Sequence, residues 1–368
     1  MSLKEILKLV LGWRLLIVLI ALPAMFLLSP RTRFTNLTPK LSVTNLFSMW
    51  SNFDGRHYLN LAELGYGFQR QTDLDYAFFP VYPWAIRILN FFDNYLTSGL
   101  IVSHLALILA LYFLYKLVAL DFKAKIAKST LYLILLFPTA FFFGSTYPES
   151  LFLLLAVLSF YFVRKNMFLL ACVMASIASA TGVTGFFLWP AIVYEFWLAN
   201  GQDFKKCLKP SVLWLALPPL GLWSFMRFQI IKTGGLFILA PIDKLVLIHQ
   251  VFFRYLKMLI FTDHLDPLFF TVVLELLCAT LVLVVLIFSL KKIRFSYWLF
   301  VFLSYLLPSF FGSFMSLPRY TLVMFPVFIF LALWLERQHP FVRFFYYTFS
   351  LVGSAFAIIF FTRGYFVA

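Results

Sequence analysis

The stretch LFFTVVLELLCATLVLVVLIFSL, Leu268–Leu290, holds one charged residue in a run longer than the roughly 20 apolar residues that cross a hydrocarbon core. Leu11–Ser29 and Phe341–Phe361 are comparable runs. None of them alternates apolar with polar residues, as the strands of a membrane barrel do. Because backbone groups in lipid must be satisfied within their own segment, these runs predict helices. The sequence therefore predicts an all-α polytopic membrane protein.

The composition of the whole chain supports this class. Of the 368 residues, 63% are hydrophobic and 12% are charged, whereas soluble domains carry about a quarter charged residues. No internal repeat, low-complexity tract or soluble second domain is evident, so we predict one integral membrane domain over residues 1–368. The first apolar run is too long for the h-region of a cleavable signal peptide, and it predicts the first spanning helix.

The formal net charge of +15 does not indicate nucleic-acid binding, because the basic residues are scattered among the apolar runs. Short loops rich in Lys and Arg stay in the cytoplasm, so Lys4, Lys8 and Arg14 predict a cytoplasmic N-terminus. The other predicted cytoplasmic loops hold Lys116–Lys128, Arg164 and Lys165, Lys205–Lys209, Lys291–Arg294, and Arg337 with Arg343. Together they predict about eleven crossings of an inner or plasma membrane, with the C-terminus outside.

This topology leaves a particular set of segments on the non-cytoplasmic face. They are a long first external loop (residues 30–94), the corner at Tyr147, a break at Thr181–Gly185 in the overlong run 167–200, a second external loop (residues 232–267) and the corner Ser316–Arg319. The least lipid-like residues lie in these segments. Convergence on one face is what an active site at a membrane surface needs.

The first external loop contains a short predicted interfacial helix. Asn52 is its predicted N-cap and Gly65 its stop. Asp54 then lies in the first turn, with His57 and Tyr58 on the same face. Asp54 either complements the helix dipole or has a chemical role. Likewise, His57 is an interfacial polar group or a ligand contact, and Arg56 contacts lipid headgroups or substrate.

Three further sites have two interpretations each. Ala77–Pro83 is an aromatic run with two prolines, and it predicts an ordered turn that is either a membrane anchor or part of a site. Pro148 suits a first helical position, so Glu149 is a dipole partner or a functional acid. Arg319 opposes the positive-inside bias, and it either snorkels to the interface or binds an anion.

Four segments together resemble the membrane mannosyltransferases of the PIG-V type, which add a mannose during glycolipid anchor assembly. The matching segments are Phe53–Tyr58 with Gly65-Tyr66, Ala77–Pro83, Tyr147–Phe152, and Arg319-Tyr320 with Phe325-Pro326. Two positions depart from the family pattern, since Phe53 replaces the usual Trp and Gly182 stands where members often carry Arg. If that Arg holds phosphate, another cation must do so here.

The resemblance implies a GT-C architecture with the catalytic acid in the first external loop. It also implies a polyprenyl-phosphate sugar donor, a hexose that is most often mannose, and a lipid- or glycan-linked acceptor. On this basis Asp54 is the expected general base, and Arg319, followed by Arg56, the expected phosphate partner. The other expected substrate contacts are His57, Tyr82, Tyr147, Glu149 and Tyr320.

In-line attack with one base predicts inversion at C1. No Gly-rich phosphate loop is present, in agreement with a lipid-linked donor. We expect no cofactor and no metal, because Asp54, His57 and Glu149 have no metal-ligand spacing. Besides donor and acceptor, membrane lipids are the expected partners. A lipid or lipid-linked sugar transporter and a non-catalytic subunit of a glycosylation complex remain as alternatives.

Overall fold

Helices account for every regular element of the described chain. The computed structural model describes residues 1–31, 43–67, 73–91, 93–236 and 246–367, and no β-strand occurs in these ranges. The α-helices are α1 Leu3–Leu27, α2 Val43–Ser48, α3 Asp54–Leu64, α4 Val81–Ile88, α5 Tyr95–Val118, α6 Ala124–Leu135, α7 Glu149–Arg164, α8 Phe168–Ser179, α9 Leu188–Ala199, α10 Phe204–Cys207, α11 Leu217–Thr233, α12 Ile248–Phe261, α13 Pro267–Ser289, α14 Phe295–Phe310, α15 Leu317–Val323, α16 Phe325–Glu336 and α17 Pro340–Thr362.

Among the described residues, four helices are long and apolar enough to cross a membrane, namely α1, α5, α13 and α17. The consecutive helices α15 and α16 add a fifth candidate span that is bent by 80°. Pro326 lies in the first turn of α16, where its missing N–H costs nothing. The prediction of an all-helical protein with apolar helices long enough to span a membrane is confirmed for the described residues. The count of about eleven crossings stays a prediction.

The apolar run 129–146 does not form one helix. α6 ends at Leu135, and a separate 3₁₀ helix follows at Ala140–Gly144. Pro138 explains the break, because proline lacks an N–H and disfavours the helical conformation of the residue before it. The chain therefore turns at this point on its way to α7.

The overlong run 167–200 divides into α8 and α9, with a 3₁₀ helix at Val183–Phe187 between them. Gly185 makes this break compact. A Cβ at Gly185 would lie 2.3 Å from the carbonyl oxygen of Ala178, so only glycine permits the approach. The 3₁₀ turn is thereby held against the end of α8.

Arg14 lies within α1, as do Lys4 and Lys8, and the cytoplasmic N-terminus that these residues indicate stays a prediction. Nη1 of Arg14 donates to the carbonyl oxygen of Gly144 at 3.0 Å. Its guanidinium also lies 4.3 Å from the ring centroid of Trp50. The cation is thus stabilised by a carbonyl dipole and an aromatic face. Lys4 and Lys8 still precede the apolar part of α1.

The predicted second external loop, residues 232–267, contains the helix α12, which was not predicted. Residues 237–245 of this loop lie outside the described ranges, as do 32–42, 68–72 and 92 of the first loop. α12 buries Val251 and Tyr255 and exposes Phe253 and Leu256 on other faces. It is therefore amphipathic, with one stripe packed on the protein.

Candidate active site

A cavity of about 490 Å³ lies where the predicted first external loop, the start of α7, the break before α9 and the corner before α15 meet. Its polar lining comes from Asp54, Tyr58, Glu149, Thr181, Thr184, Ser313, Ser316, Arg319 and Tyr320. Its apolar lining includes Phe78, Phe79, Phe152, Leu307, Phe311, Met315 and Val323. One cavity thus joins charged groups to an extended apolar wall.

Asp54 is the first residue of α3, and the strained backbone before it sets the direction of its side chain. The residue that caps α3 is Phe53, not the predicted Asn52. Phe53 has φ = 54°, a conformation that costs a bulky residue about 1–3 kcal/mol. Asn52 is used differently: its side chain donates to the carbonyl oxygen of Phe361, and its own carbonyl accepts from the Tyr147 hydroxyl, both at 2.8 Å. These contacts hold the backbone before α3 and thereby fix the direction in which the Asp54 side chain projects.

Two glycines set the position and length of α3. A Cβ at Gly55 would lie 2.7 Å from Oγ1 of Thr146 and 3.1 Å from the ring of Tyr147. Gly55 therefore lets the first turn of α3 pack directly on the segment before α7. Gly65 ends the helix, as predicted, with φ = 79° and an N–H that donates to the carbonyl oxygen of Leu61 at 3.1 Å.

Glu149 begins α7 at the same cavity wall. Pro148 caps this helix rather than starting it. The Glu149 side chain is only 6% exposed, and its Oε2 makes no hydrogen bond with any described residue. A buried carboxylate is costly unless a charge of opposite sign pairs with it. Its environment therefore requires a nearby cation.

Arg319 on α15 is that cation, and it bridges two acids. Its Nη1 donates to Oδ2 of Asp54 at 2.7 Å. Its Nε lies 3.2 Å from Oε1 of Glu149, in an ion pair without hydrogen-bond alignment. The guanidinium carbon lies 5.5 Å from the ring centroids of both Tyr147 and Tyr320. These contacts hold a cation that is 12% exposed beside two carboxylates at the cavity wall.

Tyr58 contributes a hydroxyl that stays protonated. It lies one helical turn after Asp54 and is 8% exposed. Burial, followed by the charges of Asp54 and Glu149, raises the pKa of Tyr58 well above its usual value. The hydroxyl can therefore donate a hydrogen bond but cannot serve as a base near neutral pH.

Comparison with known proteins identifies the family of the chain. Residues 3–199 match the family described as Mannosyltransferase (PIG-V). The chain belongs to the PIG-V mannosyltransferase family. No curated protein and no solved structure matches it. The family supports glycosyltransferase activity in a membrane protein, with a sugar donor and a glycolipid acceptor. The matched residues include Asp54 and Glu149, whereas Arg319 lies beyond them.

Of the residues that the resemblance implies for a PIG-V site, four line the cavity and four do not. Asp54, Glu149, Arg319 and Tyr320 line it, whereas Arg56, His57, Tyr82 and Tyr147 are absent from its lining. His57 stacks on Phe78 with ring centroids 4.8 Å apart. The Tyr82 hydroxyl lies 2.7 Å from Oγ of Ser103, deep in the protein.

The other two residues away from the cavity have different surroundings. The Tyr147 hydroxyl donates a hydrogen bond to the carbonyl oxygen of Asn52. Arg56 forms no ion pair with a described residue, and its buried Nη2 makes no hydrogen bond with one.

Several hydroxyl groups of the cavity lining were not predicted as site residues. Thr181 and Thr184 lie in the predicted break Thr181–Gly185, so their position carried a signal. Ser313 and Ser316 precede α15, and nothing in their local sequence distinguishes them from loop residues. Within the described ranges, no three His, Cys, Asp or Glu side chains come together in a way that could hold a metal ion.

Proposed function

We propose that this PIG-V family member moves a hexose, with mannose as the expected sugar, from a polyprenyl-phosphate donor to a hydroxyl of a lipid- or glycan-linked acceptor. The observation that carries the proposal is the Asp54–Arg319–Glu149 cluster at the wall of the cavity. A base and a phosphate-binding cation are what such a transfer requires, because the donor already carries an activated C1 and an anionic leaving group.

In the proposed reaction the acceptor oxygen attacks C1 of the sugar while the C1–O bond to phosphate breaks. The acceptor proton passes to Asp54, and the polyprenyl phosphate leaves with the bonding electron pair. Attack opposite the leaving group inverts C1. Arg319 stabilises the charge that develops on phosphate. The donor phosphate competes with Asp54 for Nη1 of Arg319, so donor binding releases the carboxylate to act as base.

The other lining groups take supporting roles. Glu149 and Tyr320 orient hydroxyl groups of the sugar or the acceptor, and Tyr58 donates a hydrogen bond. The rings of Phe78, Phe79 and the other apolar lining residues accommodate the first isoprene units of the donor. Arg56 and His57 have no direct part in this scheme, because neither lines the cavity.

The proposal includes a GT-C architecture with about eleven crossings and the cavity on the non-cytoplasmic face of the inner or plasma membrane. The motivation is the distribution of Lys and Arg. A cysteine at Leu265, which is 92% exposed in the second external loop, should react with a membrane-impermeant maleimide on intact cells. A cysteine at Ala124 should react only after permeabilisation. Labelling of Ala124→Cys from outside would refute the orientation.

The activity itself is tested with purified protein in lipid vesicles. A synthetic polyprenyl-phosphate mannose, labelled in the sugar, is supplied with a membrane extract as acceptor. We expect transfer from this donor and none from a nucleotide-linked mannose. Uptake of the intact lipid into the inner leaflet without any glycosidic product would instead favour the transporter alternative.

A further inference from the structure

The turn Gly312–Ser316 forms part of the cavity wall and leads directly into α15. Gly312 and Ser316 both have positive φ, 73° and 63°, so the turn has a specific and partly strained shape. The backbone N–H of Leu317 donates to the carbonyl oxygen of Phe314, and that of Arg319 to the carbonyl oxygen of Ser316. The position of Arg319 therefore depends on the shape of this turn.

Tyr255 of α12 holds the turn from behind the cavity. Its hydroxyl oxygen accepts the backbone N–H of Phe314 at 3.1 Å and lies 3.2 Å from Oγ of Ser313. The same hydroxyl donates to Oε2 of Glu275 at 2.6 Å. Burial, followed by the charge of Glu275, raises the pKa of Tyr255, which keeps this donor protonated. One hydroxyl thus links α12, α13 and the turn.

Glu275 is an unusual residue for its position. It lies in the apolar helix α13 and is 4% exposed, although an ionisable side chain in such a segment is costly and most often functional. Arg254, beside Tyr255 on α12, donates to the carbonyl oxygen of Gly312. The turn is therefore held at Gly312 by Arg254 and at Phe314 by Tyr255, two side chains that do not line the cavity.

We propose that Tyr255 and Glu275 are positioning residues for the transfer reaction: the pair fixes the Gly312–Ser316 turn and, through α15, the place of Arg319 at the cavity wall. This inference rests on the proposed function. The helix α12 thereby has a role at the site, because its residue Tyr255 contacts both the turn and α13.

The test compares Tyr255→Phe with the matched control Tyr305→Phe. Tyr305 is also buried, and its hydroxyl donates to the carbonyl oxygen of Ala279, one turn after Glu275 on α13. We expect Tyr255→Phe to lower kcat roughly ten- to a hundredfold, because a small displacement of a catalytic group has effects of this size. The donor KM should change by less than about twofold. Tyr305→Phe should leave both constants near wild type.

A double-mutant cycle shows whether the effect passes through Arg319. If it does, Tyr255→Phe causes little further loss in an Arg319→Lys background. Glu275→Gln is the second variant, which retains an acceptor for the Tyr255 hydroxyl and removes a buried charge. It should fold at least as well as wild type and lose less activity than Tyr255→Phe. Additive losses in the cycle would overturn the proposal.

A measurement independent of turnover uses a spin label on Met315→Cys, with the three native cysteines replaced by alanine. Met315 lies in the turn and is 59% exposed. Tyr255→Phe should increase the mobility of the label, and Tyr305→Phe should not. Equal kcat and equal mobility in the two Phe variants would overturn the inference. If wild type transfers no sugar, the proposed function fails, and the label alone then decides whether the pair holds the turn.

Discussion

Replacement of Asp54 by Asn separates a chemical role of this residue from a structural one. The amide keeps the size of the carboxylate and one oxygen that can accept the Arg319 hydrogen bond. It also remains a good residue near a helix start. What the substitution removes is the negative charge and the capacity to take a proton from the acceptor.

The structure sets the size of the two expected effects. The Asp54 side chain is 36% exposed, so solvent screens its ion pair, which contributes about 0–1 kcal/mol. Arg319 keeps Glu149 as a partner, and we expect the free energy of unfolding to fall by about 1 kcal/mol or less. A general base contributes about 10²–10⁴-fold to the rate. The smaller figure corresponds to about 2.7 kcal/mol in the activation barrier.

The assay measures transfer from polyprenyl-phosphate mannose, donor binding and thermal unfolding on the same preparations. The matched control is Asp121→Asn, which removes the carboxylate from the Arg164 ion pair outside the cavity lining. Both variants should bind donor and unfold near the wild-type temperature, while only Asp54→Asn loses at least about a hundredfold in transfer. A well-folded Asp54→Asn variant with transfer within about threefold of the control would refute the assignment of the base.

Three further outcomes follow from the contacts of the site. Arg319→Lys should retain folded yield but lower transfer, because an ammonium group cannot bind both acids and phosphate as a planar guanidinium does, and unchanged transfer in this variant would exclude Arg319 as the phosphate partner. Arg319→Ala should lower the free energy of unfolding by about 3–5 kcal/mol, because it leaves the buried Glu149 without a counter-charge. Gly55→Ala should lower both the melting temperature and transfer, because its Cβ would lie 2.7 Å from Thr146 Oγ1, and wild-type values for both would contradict this packing. Tyr58→Phe should lower transfer about three- to tenfold at every pH from 6 to 9. Since its raised pKa keeps Tyr58 neutral across this range, a change in the shape of the pH profile would contradict a donor role.

Two polar residues of the site were visible in the sequence because each opposed its surroundings, whereas the role of Asp54, which lies in a polar segment, was implied by the family resemblance. Glu149 is an acid at the start of an apolar run, and Arg319 is a cation on the predicted external face, where positive charge is least expected. These signals are local, so one sequence suffices to detect them. The distance between Asp54 and Arg319 is not local, because it depends on how helices far apart in the chain pack.

The orientation of α3 could not be read from the sequence. Residues four apart lie on nearly the same side of a helix, and the cavity indeed receives Asp54 and Tyr58. Arg56 points to the other side of the helix, because it lies about 200° around the axis from Asp54. His57 lies within about 60° of Asp54, but its ring stacks on Phe78 and does not line the cavity. Which of these neighbours faces the site is decided by Gly55, whose lack of a side chain lets one edge of the helix press on Thr146.

The division of the site between the two halves of the chain has a chemical consequence. The matched residues 3–199 supply both acids but neither the guanidinium nor the turn that carries it. Two carboxylates without Arg319 would repel an anionic donor and would leave Glu149 buried without a counter-charge. The same substitution that removes the phosphate partner therefore also destabilises the acid beside it. For this reason Arg319→Lys, which keeps the charge and alters only its geometry, is a sharper test of phosphate recognition than removal of the cation.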